Sequence, residues 1–241
     1  MFALRLVLIA IVFVFCGCST AKYNVPLFEY DAGDVVLWKP CSRAQAEIMA
    51  NSSKDKDILQ SAACSAWLLE SGAVKSADYA KASQAVVNKY LAKNSHSGIG
   101  HYLLAYLVAK EAQLAPMKGL DLVHIMEQEA LRASKLSPEV DFGGPDRMLG
   151  ELYLKAPSAP ISVGDLDKSL EHYEKAVKVA PDFAMNRLGF ASALLEDDEK
   201  EKACVQYETA LKSKKIDEKL LRTDTCVKLV KACNKAHVTE K

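Results

Sequence analysis

Apolar residues recur every three or four positions along nearly all of the chain after residue 41, and almost nowhere do they alternate with period two. The pattern predicts an all-α body. Helical periodicity falls over 42–50, 57–70, 77–92, 98–114, 117–135, 145–154, 165–179, 183–195, 199–212 and 217–235. Residues that stop helices separate these runs: Asn51-Ser52-Ser53, Ser71-Gly72 and Pro116. Residues 19–40 differ. Pro26, Gly33 and Pro40 punctuate them, and their apolar stretch Val35-Val36-Leu37-Trp38 reads as an arm that packs on the helical body.

The predicted helices pair, and the pairs resemble one another. Leu149-Gly150-x-x-Tyr153 is followed by Tyr173-x2-Ala176-x4-Pro181, with Ser169 where a further alanine would stand. The preceding pair ends Ala133-x4-Pro138 in the same phase, and the following one carries Leu188-Gly189 and then Ala203-x3-Tyr207-x2-Ala210. This spacing is that of the tetratricopeptide repeat. Gly and Ala let two antiparallel helices approach, an aromatic ring fills the space between hairpins, and proline ends the second helix. Each hairpin has too little core alone and needs neighbours. The expected architecture is tetratricopeptide-like hairpins stacked as a short α-solenoid. In the third hairpin the turn is about seven residues longer than the repeat pattern requires. The extra residues, around Pro157, Pro160, Gly164 and Asp165, make a stiff insertion suited to a contact surface or pocket wall, with Asp165 placed to cap the next helix. Phe142-Gly143-Gly144-Pro145 predicts a tight backbone entry, structural in role, into the helix that follows it.

Ahead of the body, Leu6 to Phe15 are uninterrupted apolar residues preceded by Arg5. A bilayer-spanning helix takes ~20 such residues and a signal-peptide core about 7–15, so the run reads as an export signal. Gly17-Cys18 at its end is similar to a bacterial lipoprotein box, which implies cleavage before Cys18 and acylation of that cysteine. An ordinary cleaved signal and an uncleaved anchor are the alternatives. The expected division is therefore a signal peptide over 1–17, a lipid-anchored tether and arm over 18–40, and a helical domain over 41–241. Ser19 in place of aspartate favours the outer membrane's periplasmic face, with the inner membrane left open.

Charge and cysteine content narrow the function. Lys plus Arg and Asp plus Glu are balanced at 31 each, and no basic stripe suited to phosphates stands out, which argues against nucleic acid. Export implies an oxidising compartment. Beyond Cys18 there are Cys41, Cys64, Cys204, Cys226 and Cys233. Cys41 with Cys64, and Cys204 with Cys226 or Cys233, are candidate bridges; buried thiols packed as small hydrophobes are the alternative.

The stretch from Gly143 through Arg147, Gly150, Tyr153, Lys155 and Pro157, then Pro160-Ile161-Ser162-Val163-Gly164-Asp165, Leu170 to Val177, and Asn186-Arg187-Leu188, resembles the T component of tetratricopeptide-repeat-associated TRAP transporters, the TatT-like lipoproteins. The resemblance is strongest over 140–211 and looser elsewhere. It implies an all-helical lipoprotein that trimerises around a central pore and partners the periplasmic solute-binding P component of a TRAP transporter. It further implies a hydrophobic ligand passed between the two.

No catalytic or metal-binding constellation is visible, and no cofactor is expected. His96 and His101 have a poor metal spacing, and His124, His172 and His237 are scattered along other helices. Ser158 and Ser162 lack a nucleophile-elbow context. Catalysis would gain support only if His101 or His172 stood beside a carboxylate and a Ser or Cys in a cleft. Among polar residues, Arg147, Lys155, Ser162 and Asn186 are the candidates for holding a ligand carboxylate or a partner loop. Packing and loop-tying hydrogen bonds are the alternative role for them. Asp197 or Asp198 would suit the electropositive end of the helix that follows.

Overall fold

The computed structural model describes residues 28–216 and 224–239. Ten α-helices follow a small two-stranded hairpin in this part of the chain: α1 Arg43–Ala50, α2 Asp55–Glu70, α3 Ala77–Leu91, α4 Gly98–Leu114, α5 Gly119–Leu136, α6 Val140–Lys155, α7 Leu166–Val179, α8 Ala184–Glu196, α9 Lys200–Leu211 and α10 Asp224–Thr239. A 3-10 turn, Pro116–Lys118, joins α4 to α5. Polar residues start the helices where the periodicity begins. Ser42 and Gln45 form a reciprocal capping box on α1, and the side chains of Ser76, Ser97 and Asp165 accept from backbone N–H groups at the starts of α3, α4 and α7. At α9, Asp197 and Asp198 stand just ahead of the N-cap residue Glu199, Asp198 in a left-handed turn with φ 57°, and no side chain makes a capping hydrogen bond to this helix. The first part of the helix expected over 217–235 lies outside the described residues.

Each helix packs on the next in sequence, and the even-numbered ones also form a row, with α2 touching α4, α4 touching α6, α6 touching α8 and α8 touching α10. Alanine makes these approaches close. Ala66, Ala105, Ala130, Ala176, Ala191 and Ala203 are completely buried. α4 is the most enclosed element, with Tyr102, Leu103, Ala105, Leu107 and Val108 all sealed from solvent. Between α6 and α8 the Tyr173 ring of α7 is clamped by two glycines. A Cβ built on Gly150 would stand 2.7 Å from Cδ2 of this ring, and one on Gly189 would stand 2.2 Å from Cε1. Only hydrogen fits at either position.

The arm expected before residue 40 is packed on the body. Strands β1 (Tyr30–Asp31) and β2 (Val36–Leu37) pair antiparallel, and Val35, Leu37 and Trp38 are buried. The Gln60 side chain of α2 acts as a substitute strand: its Oε1 accepts from Val36 N at 2.9 Å and its Nε2 donates to Val36 O at 2.9 Å. Trp38 then lies edge-on to Tyr106 of α4 at 4.9 Å. Among the described residues two disulfides tie the ends of the fold, Cys41–Cys64 joining the residue ahead of the α1 N-cap to α2 and Cys204–Cys233 joining α9 to α10. Cys226 is buried outside both. In the long α6–α7 turn, Gly164 N donates to Pro157 O at 2.9 Å and Asp165 N to Tyr153 O at 3.0 Å, which folds the insertion back on α6. Ile161 at its tip is 62% exposed.

Candidate functional site

The backbone makes its sharpest departure where the sequence reads Asp141-Phe142-Gly143-Gly144-Pro145. Three successive residues adopt left-handed conformations, with φ of 51°, 57° and 82°. Pro145 disfavours helical backbone in the residue before it and cannot donate a backbone hydrogen bond, so the regular helix is established only after it. Such a run of left-handed residues is costly for side chains with a Cβ and persists only where the surroundings fix it. Here they do.

Asp141 is buried at 4% exposure and its carboxylate has three donors from three parts of the chain. Trp38 Nε1 of the arm donates to Oδ1 at 2.7 Å, Tyr102 Oη of α4 donates to Oδ2 at 2.6 Å, and Arg147 Nη2 of α6 donates to Oδ2 as well. The other side of the guanidinium serves the turn. Arg147 Nη1 donates to the Asp141 carbonyl at 3.1 Å and to Asn186 Oδ1 at 2.9 Å. Asn186, wholly buried on α8, completes the lock by donating from Nδ2 to Phe142 O and Ala176 O, both at 2.8 Å. Burial pushes the Tyr102 phenol well above its ordinary value and the Asp141 charge adds to this, so the hydroxyl remains a donor.

Above the polar lock lies an aromatic layer. Phe142 stacks on Phe183 with centroids 4.8 Å apart, Tyr30 meets Phe142 edge-on at 5.2 Å, and Phe28 meets Phe183 edge-on at 5.7 Å. Two cations complete it, Arg147 5.0 Å from the Phe183 centroid and Lys215 3.5 Å from that of Phe142. The cluster thus joins the arm, α4, α6, α8 and the segment after α9.

Of the residues singled out in the sequence, Arg147 and Asn186 are brought into direct contact, and their polar atoms serve the 141–143 turn. Lys155 is exposed at the far end of α6, eight residues and so ~12 Å along the axis from Arg147. Ser162 lies in the insertion, with its hydroxyl buried and without a hydrogen-bond partner among the described residues. Cys18 lies outside the described residues. Trp38, Tyr102 and Asp141 were not singled out, because their association spans 103 residues and carries no local motif.

Two histidines do stand beside carboxylates. His101 Nδ1 lies 2.5 Å from Glu129 Oε2, and Nε2 lies 2.9 Å from the Ser95 carbonyl. Because a carbonyl only accepts, Nε2 bears the hydrogen. Arg132 Nη1 donates to the other Glu129 oxygen at 2.7 Å. A cleft of about 380 Å³ adjoins the pair, lined also by Asn88, Ser95 and Leu104. His172 Nδ1 lies 2.7 Å from Asp146 Oδ1, and Ser134 Oγ donates to the same carboxylate at 3.0 Å. The order is hydroxyl, carboxylate, imidazole, with the carboxylate in the middle, so His172 has no contact with the hydroxyl it would have to deprotonate. Tyr153 stacks on the His172 ring at 5.5 Å and donates to Glu127 at 2.8 Å. Among the described residues no group of three or more His, Cys, Asp or Glu side chains is arranged to hold a metal ion, and no helix is long and apolar enough to cross a membrane. Neither a family model nor a curated protein matches this chain.

Proposed function

We propose that this chain is a tetratricopeptide-like solenoid lipoprotein that docks the solute-binding P component of a TRAP-type transporter at the periplasmic face of a bacterial envelope. In this reading Cys18 carries the lipid, the body is a non-enzymatic binding module that assembles as a homotrimer, and an apolar small molecule is handed between the partners. The observation that carries the proposal is the clamp of Tyr173 between Gly150 and Gly189, which falls on the repeat positions of the TatT-like segment. The row of contacts from α2 through α4, α6 and α8 to α10 supports the solenoid part of the reading, since first helices of stacked hairpins meet in this way.

A sedimentation titration of the detergent-solubilised chain against the candidate P component tests the docking. Association at micromolar concentrations is expected; its absence there removes the transporter assignment. Detergent-phase partitioning tests the anchor separately, because Cys18→Ala should abolish it. A second reading, an envelope scaffold that holds protein partners only, is favoured by the use of Arg147 and Asn186, whose polar atoms tie the 141–143 turn. Organic extraction of the purified protein separates the two, since a scaffold yields no bound apolar molecule.

A further inference from the structure

The helix ends divide the charges of this neutral chain between two edges. The last turns of α3, α5, α7 and α9 and the starts of α2, α4, α6 and α8 lie along one of them. Contacts follow that edge from end to end: Lys93 Nζ is 3.8 Å from Asp55 Oδ1, Gly98 abuts Ser137, Phe142 stacks on Phe183, and Ser213 Oγ donates to the Asp182 carbonyl. Segments 51–57, 88–98, 132–142, 175–184 and 208–216, which make this edge, carry a net charge of +5. Segments 67–78, 110–121, 151–168 and 194–202, at the opposite ends of the helices, carry −5.

Helix dipoles explain part of this and not the rest. Lysines suit the C-terminal turns of the odd helices, yet the N-termini of the even helices at the same edge should attract carboxylates. α2 and α6 do carry them, as Asp55, Asp57 and Asp141, but α4 and α8 have none in their first turns, and Lys54 stands at the N-cap of α2. Lys54, Lys89, Lys135, Lys212 and Lys214 are exposed there. The chain also meets this edge where it joins the described body, with Phe28 against Phe183. Between Cys18 and Phe28 stand nine residues, a link that reaches at most ~30 Å.

We infer that the basic edge lies against an anionic lipid surface, so that the acidic edge, with the α6–α7 insertion, faces away from the membrane. The inference rests on the lipid anchor of the proposed function. It adds an orientation to it: the anchor brings the body within reach, and the lysines turn it, since basic groups are attracted to anionic headgroups within about a Debye length of ~10 Å.

The test is amine-reactive footprinting of the full lipidated chain, reconstituted in phosphatidylcholine vesicles with or without phosphatidylglycerol and read by peptide mass spectrometry. Labelling of Lys54, Lys89, Lys135, Lys212 and Lys214 is expected to fall about threefold or more in the anionic vesicles and to recover in high salt. Lys75, Lys118 and Lys155 should label equally throughout. Lys89→Glu combined with Lys135→Glu, both on exposed sites, should restore labelling of Lys212 and Lys214 with the helical circular dichroism intact. Equal labelling of the two edges in anionic vesicles overturns the orientation and leaves the anchor standing. Protection already present in detergent means that another chain covers the edge, and also overturns it. A chain that does not stay with neutral vesicles refutes the anchor, and the orientation with it, whatever the result of the P-component titration.

Discussion

Adding one methyl group to α8 at Gly189 tests the packing of the third and fourth hairpins directly. The built Cβ falls 2.2 Å from Tyr173 Cε1, well inside the ~3.5–4.0 Å of an ordinary carbon contact. The ring cannot retreat, because Gly150 closes its other side with a Cβ position 2.7 Å from Cδ2 and Tyr173 is only 1% exposed. Overpacking of this kind costs about 1–3 kcal/mol, while alanine recovers about 1 kcal/mol of helix propensity over glycine. Gly189→Ala should therefore destabilise by up to about 2 kcal/mol, a fall of up to roughly 8 °C in the melting midpoint for a chain of this size. Tyr173→Leu removes the ring edge that the methyl group strikes. In the double variant the alanine should become neutral or stabilising, giving a coupling energy of about 1–3 kcal/mol in a urea-denaturation cycle. Additive single effects, or a Gly189→Ala variant more stable than wild type, would refute the clamp and the hairpin register built on it.

Asp141→Asn keeps the size of the side chain but leaves the Arg147 guanidinium without its buried counter-charge, so a loss of about 3–5 kcal/mol is expected by chemical denaturation; a loss below about 1 kcal/mol would show that the pair is hydrated and unimportant. Tyr102 and Tyr106 have phenols raised well above the ordinary value of 10.0, by burial first and then by Asp141 and Glu70 respectively. The folded state thus holds these protons more tightly than the unfolded one, and the stability they contribute is complete below pH about 10 and is lost as pH rises toward the folded values. Their phenolate absorbance should appear together with loss of helical signal, and titration of all tyrosines near the ordinary value with helices intact would contradict this. Reduction of the two disulfides, whose cysteines are separated by 23 and 29 residues, should remove about 3 kcal/mol each through the entropy of the unfolded chain, read as a lower urea midpoint in dithiothreitol.

The local parts of this fold were legible in the sequence because local chemistry decides them. Asp165 caps α7 where the apolar period begins, and Gly150, Gly189 and Tyr173 meet because their spacing places them on facing helices. Cys41 with Cys64 was one pairing among open alternatives, and Cys233 rather than Cys226 takes Cys204. The Asp141 lock was not legible. Its donors come from residues 38, 102 and 147, and nothing near any one of them announces the others. Only the Phe142 to Pro145 string gave a sign, as a tight backbone entry into the helix that follows; its left-handed turns are seen in the structure alone. The carboxylate beside each of His101 and His172 was hidden for the same reason, since the imidazoles and acids sit on different helices.

The arm has a consequence for any guest of this protein. From Phe28 to Trp38 it contacts α8, α6, α4 and α2, the helices that form the central row. A stretched peptide seeking that row meets a resident segment covalently joined to it, at an effective concentration in the millimolar range or above. Visitors that bind weakly are outcompeted by this resident arm, which leaves them the loop tips and outer helices.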